Sequence, residues 1–230
     1  MSSQAPAADR DRYMWFHFVR RTGADGEAWL DEYRRIGLGN ATVDAVNLMR
    51  AHRLDEGYAL LESVRDGMEA LADGDPSQRS VLERWYYGVL GYYFYCMSSF
   101  PEAHAAMERA QVAVAEAVGL RPFLHPLVVD CYEFRLHRAR IARNQRRWAE
   151  MWEHVDAART MMHGRQPFCV LDDGTPVGIE SVKDFYRSLG LDDAERAAVA
   201  HLVDDEVRHR SFEGAVQVAC RLPGFVIPYT

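Results

Sequence analysis

The stretch HLVDDEVRH, residues 201–209, sets His201, Asp205 and His209 four residues apart. On a continuous α-helix turning about 100° per residue, Asp205 falls about 40° and His209 about 80° from His201. Ala194, Ala198, Phe212 and Val216 fall in the same arc if the helix runs on at both ends. Three polar side chains would then interrupt an apolar stripe. Asp204, Glu206 and Arg210 point elsewhere, and Arg208 lies just outside the stripe. A carboxylate buried in such a stripe costs several kcal/mol unless a cation or donors meet it. The line therefore predicts either a metal site or a structural polar network or surface groove, and two imidazoles in register with a carboxylate favour the metal.

Outward from this motif the chain reads as helical throughout. Apolar residues recur at three and four, and alternating β-branched runs are scarce. Helices are expected over about 11–21, 26–35, 41–53, 54–72, 80–98, 101–120, 125–145, 147–162, 181–188, 192–210 and 212–221. GLGN (37–40), Asp73-Gly74-Asp75-Pro76, and Gly119 with Pro122 break the pattern, the prolines because they cannot continue a helix. Residues 164–179, two short apolar runs around Asp172-Asp173-Gly174, are the one expected hairpin. Residues 1–12 are small and polar and are expected to be disordered. Residues 13–230 are expected to form one helical domain with its core over about 80–215.

Composition narrows the partners. The chain has 230 residues, 48% of them hydrophobic, and a net charge of −7 without a basic stripe, which argues against nucleic acid. The four cysteines, Cys96, Cys131, Cys169 and Cys220, are scattered and form no CxxC, as reduced thiols of a cytoplasmic protein would be. The start lacks the apolar run of a signal peptide. The longest apolar stretch, WYYGVLGYYFYCM, is too short and too rich in tyrosine to span a bilayer.

Two all-α architectures fit. RLDEGYALLESV, SFPEAHAAMERA and RWAEMWEHVDAA resemble second helices of tetratricopeptide-like hairpins. Their starts, Arg53, Ser99 and Arg147, are 46 and 48 residues apart, long for a unit of roughly 34 residues. Such an array would present a groove to a peptide or protein, without catalysis. The other architecture is a closed multi-helix bundle around a metal site, with the hairpin as an insertion; the 201–209 motif favours it.

A bundle site needs further ligands from facing helices. Glu83 stands in line with Tyr87, Leu90 and Phe94, a lone acid in an aromatic segment. Glu116 and His125 flank the next break. Glu133 and His137, four apart, are the alternative pair, and Glu108, Glu150 and His154 are also available. An exposed helical charge explains any one of these equally well.

With this set the chain resembles the haem-oxygenase-like dimetal oxidases and oxygenases. That family carries a ligand, Asp and His on a late core helix, matched by His201, Asp205 and His209. It carries an earlier Glu, then a Glu followed by a His, matched by Glu83, Glu116 and His125. Glu116 and Glu83 precede His209 by 93 and 126 residues, in keeping with the family's layout. The resemblance covers about residues 80–215 at the level of motifs. It implies a haem-oxygenase-like bundle holding two Fe(II) ions, with manganese as the other metal suited to such ligands, and O2 as co-substrate. It further implies oxidation of C–H bonds of a small aliphatic amino acid, by desaturation, ring closure or a related outcome, in natural-product biosynthesis. Tyr86, Tyr87, Tyr93, Phe94, Trp148 and Trp152 are candidates to line an apolar pocket. Arg84, Arg135, Arg138 and Arg143 are candidates to hold a substrate carboxylate. A homodimer is compatible with the sequence.

Overall fold

A computed structural model of the chain describes residues 14–71 and 74–220. The expected disorder over 1–12 lies outside the described residues. Twelve α-helices are described: α1 Met14–Arg20, α2 Ala24–Ile36, α3 Leu38–Arg50, α4 Leu54–Glu69, α5 Pro76–Cys96, α6 Phe100–Leu120, α7 Asp130–Asn144, α8 Trp148–Met162, α9 Ile179–Ser188, α10 Asp193–Ala198, α11 Ala200–Val203 and α12 Asp205–Cys220. A 3-10 helix, Pro122–Val129, precedes α7. The expected hairpin is β1 Cys169–Val170 paired antiparallel with β2 Pro176–Val177. The described residues are thus all-α with one two-stranded ribbon. Among the described residues no helix is long and apolar enough to cross a membrane.

Three antiparallel hairpins, α3–α4, α5–α6 and α7–α8, make up the middle of the chain. Each is closed by the same turn. His52, Ser98 and Arg146 adopt left-handed backbone, with φ of 62°, 59° and 60°. The next residue then donates its N–H five residues back: Arg53 to Leu48 O at 2.9 Å, Ser99 to Phe94 O at 2.9 Å, Arg147 to Ala142 O at 2.8 Å. This closes the helix in a Schellman-type cap and starts the next helix at once. The spacing of Arg53, Ser99 and Arg147 is therefore a structural period.

Counted from the turn residue, equivalent positions are buried in all three hairpins. Seven residues before the turn stand Ala45, Gly91 and Ala139; five after it, Gly57, Ala103 and Met151; nine after it, Leu61, Met107 and Val155. Small residues before the turn let the two helices of each hairpin approach closely. At Gly57 an added Cβ would lie 2.7 Å from Met49 Cγ and 2.8 Å from Ala45 O, so only hydrogen fits between α3 and α4. The hairpins stack in chain order, α3 and α4 on α5, α6 on α7, and α12 covers α7 and α8.

The buried cluster begins at Phe18, well before residue 80, and runs to Cys220. Phe18 stacks edge-on against Tyr186 at 5.1 Å. His17 Nε2 lies 2.9 Å from Glu195 Oε1, and Arg21 donates to Leu189 O at 3.0 Å. These contacts hold α1 against α9 and α10.

α3 begins at Leu38, inside the expected GLGN break, and three further boundaries depart more widely from expectation. α5 starts at Pro76, not near residue 80, because Asp75 accepts from Ser77 N at 2.8 Å and Pro76 sits where no N–H is needed. The helix expected from residue 125 starts at Asp130. The segment before it, Pro122–Val129 with Pro126 inside it, winds as a 3-10 helix instead. The helix expected over 192–210 is three pieces, and its last piece continues through the expected 212–221 helix to Cys220.

Candidate functional site

The break between α11 and α12 changes the reading of residues 201–209. Asp204 has extended backbone, φ −105° and ψ 118°, and its Oδ1 accepts from Val207 N at 3.0 Å. Asp204 thus caps α12, with Asp205 and Glu206 in the first turn, where acids suit the helix dipole. His201 belongs to α11 and does not share a helix with Asp205 and His209, so the continuous wheel drawn through all three does not apply. The buried stripe of α12 is Arg208, Phe212, Val216 and Ala219.

The six expected ligands lie as follows. Asp205 is mostly exposed; its Oδ1 meets Lys183 Nζ at 3.0 Å and Arg208 Nη2 at 2.7 Å. The Lys183 hydrogen bond, chiefly, lowers its pKa. His209 Nδ1 lies 3.1 Å from His163 Nε2. His201 is half-buried, and burial lowers its pKa. Arg109 donates to Glu83 Oε2 at 2.7 Å and to Glu116 Oε1 at 3.3 Å, so α5 and α6 do bring these two carboxylates together, around a guanidinium. Arg79 also donates to Glu83, at 3.1 Å. His125 turns Nδ1 back on Pro122 O in its own 3-10 turn. Of the aromatics, Tyr86 is buried, while Trp148 and Trp152 are exposed.

The alternative pair, Glu133 and His137, opens onto a groove formed by the first helices of the three hairpins. One cavity of about 250 Å³ is lined by Thr42, Val46 and Arg50 of α3, Arg84 and Trp85 of α5, and Glu133 and His137 of α7. A second, of about 140 Å³, adjoins it through His137 and is lined by Tyr92, Tyr95, Arg140, Arg143 and, from α12, Val218. The groove therefore runs across the hairpin stack and ends at α12.

Its polar groups hold one another. Arg84 pairs with Asp130 and lays its guanidinium 3.4 Å from the Trp85 ring centroid, a cation–π arrangement. Burial raises the pKa of Asp130 against the pull of Arg84. The Glu133 carboxyl reaches solvent along the groove, yet the protein walls desolvate it; they and then Asp130 raise its pKa. Arg140 Nη1 donates to His137 Nδ1 at 2.7 Å. Burial, then Arg140 and Arg84, push the imidazole down to about 3, so it is neutral with its proton on Nε2. Arg50 and Arg140 were absent from the expected set. A lone Arg on a helix carries no local sign of the groove it faces.

A separate cluster joins second helices. His104 of α6 and Glu150 and His154 of α8 place one ligand atom each within 4.8 Å of one another. Glu150 Oε1 lies 3.8 Å from His104 Nε2 and 3.7 Å from His154 Nε2. Burial lowers both imidazoles, His154 to about 4. Glu150 and His154 were visible as an i, i+4 pair. His104 was missed, because nothing local to α6 marks it. Among the described residues this is the set of three or more that could hold a metal ion.

No protein-family model, no curated protein and no solved structure matches the chain.

Proposed function

We propose that this protein is a binding module, an array of helical hairpins that takes an extended peptide segment of a partner along its groove. The observation that carries this reading is the run of two adjoining cavities across α3, α5 and α7, joined at His137. Stacked hairpins create such a surface because the first helices of successive units lie side by side. The lining combines aromatic rings (Trp85, Tyr92, Tyr95) with guanidinium groups (Arg50, Arg140). This suits a segment bearing apolar side chains and at least one carboxylate.

The test is selection from a random-peptide phage library on the immobilised chain. Enriched peptides carrying an acidic residue, with binding lost in Gly88→Trp, which fills the groove, and in Arg140→Glu, support the reading. No enrichment, or binding that survives both changes, removes it.

A second reading is the dimetal oxidase acting on a small aliphatic amino acid. It keeps one point of support, that Glu83 and Glu116 lie close enough to share one cation, here the Arg109 guanidinium that a metal would have to displace. Anaerobic Fe(II) loading followed by desalting tests it. Near two irons per chain, lost in Asp205→Ala, with O2 uptake on adding amino acids, would favour the oxidase over the module.

A further inference from the structure

We propose that His104, Glu150 and His154 form a site for one divalent ion of the zinc type, which ties the second helix of the middle hairpin to the second helix of the last. The inference stands apart from the groove, whose lining includes none of these three residues.

Distance is the first argument. At 3.7 and 3.8 Å, the Glu150 Oε1 contacts to the two imidazoles are too long for hydrogen bonds, which fall at about 2.7–3.2 Å. Two ligands on a tetrahedral zinc at about 2.0–2.1 Å are about 3.3–3.4 Å apart. The two Glu150 contacts are within a few tenths of an ångström of that spacing, and all three ligand atoms lie within 4.8 Å of one another.

Orientation is the second. Arg147 pairs with Glu150 Oε2 and leaves Oε1 facing both imidazoles. The Arg147 guanidinium attracts Oε2 by charge, without a well-formed hydrogen bond, which favours this orientation of the carboxylate. His104 Nε2 is buried and lacks a hydrogen-bond partner. A buried imidazole nitrogen without a partner is unfavourable unless something else takes it up.

Charge selects the ion. The cluster brings one carboxylate, already shared with Arg147, and Arg138 stands nearby with its Nη2 3.7 Å from Glu108 Oε1. Hard, oxygen-seeking Mg2+ and Ca2+ need more anionic oxygen than this. Two imidazoles and one carboxylate suit Zn2+, Co2+ or Ni2+. Three protein ligands leave a fourth position for water.

The experiment uses the full chain without a histidine tag, stripped with chelator, loaded with Zn2+ and desalted, with metal content read by mass spectrometry. Co2+ is the spectroscopic probe. The expected result is one Zn2+ per chain and visible Co2+ bands of tetrahedral intensity. Both are lost in His104→Ala, His154→Ala and Glu150→Gln and kept in His163→Ala. Circular dichroism checks that each variant is helical. If His154→Ala unfolds, His104→Ala, on another helix, and the isosteric Glu150→Gln decide the matter. Failure of the wild type to retain zinc overturns the site. So does full retention by folded His104→Ala or Glu150→Gln, or loss in His163→Ala, which would move the metal to the His163–His209 pair.

Discussion

Arg140 Nη1 donates to His137 Nδ1 across 2.7 Å in the floor of the groove. A guanidinium has no lone pair to offer, so the imidazole must accept there, and only its neutral form can. Protonation of His137 would set two cations against each other, with Arg84 and Arg50 adding to the repulsion. Its folded pKa lies below the unfolded value. Its contribution to stability is therefore present above the ordinary imidazole range and lost progressively as pH falls from that range toward about 3. His137→Asn, which still accepts from Arg140 but does not titrate, should lose less stability than wild type between about pH 7 and about pH 5. Urea midpoints at the two pH values measure this; equal losses would show that His137 does not titrate against the fold.

The buried pair of the groove should be costly to break and cheap to replace. Arg84 is 7% exposed and pairs with Asp130, which is 20% exposed. Arg84→Met strands that carboxylate and should cost about 3 kcal/mol, whereas Arg84→Met with Asp130→Leu should recover most of the loss. A double-mutant cycle in urea gives the coupling, and a double variant no better than the single would show that the carboxylate was not the source.

The three hairpin turns offer a gain. His52, Ser98 and Arg146 carry side chains in the left-handed conformation that Gly164 takes at the end of α8. That conformation costs an ordinary residue about 1–2 kcal/mol, and glycine gives back about 0.5–1 through its freer unfolded chain. Each change to Gly should therefore stabilise by up to about 1 kcal/mol, with the three effects adding because the turns are far apart. Thermal melts of the single and triple variants check it, and a loss at all three would contradict the shared turn geometry.

Two glycines at hairpin crossings should respond differently to the same change. At Gly57 an added methyl meets the Ala45 carbonyl at 2.8 Å as well as Met49, and backbone cannot easily give. At Gly91 the close neighbour, at 2.5 Å, is the terminal methyl of Met107, which can turn away, and the Ala103 carbonyl stands off at 3.4 Å. Gly57→Ala should cost about 1–3 kcal/mol. Gly91→Ala should be nearly neutral, since Ala is also the better helix former. Equal costs would mean that α5 and α6 are packed as tightly as α3 and α4.

Local physics determined much of this protein from sequence alone. Period, proline and glycine mark α2 to α8 and the hairpin around Gly174, because each signal acts within a turn or two of chain. The repeat of Arg53, Ser99 and Arg147 was readable for the same reason: each follows a turn closed by its own neighbours. The break at Asp204 was written locally too, in Asp204-Asp205-Glu206, a cap followed by acids. The periodicity of the flanking helices masked it, and the wheel drawn through His201, Asp205 and His209 ran past the cap. Tertiary structure alone decided which side chains meet. That Arg109 stands between Glu83 and Glu116 depends on how α5 packs on α6, and that Arg50 and Glu133 line one cavity and His104 joins Glu150 and His154 depends on how one hairpin stacks on the next. Stacking is fixed by burial summed over the whole interface between hairpins, and no short stretch of sequence carries that sum.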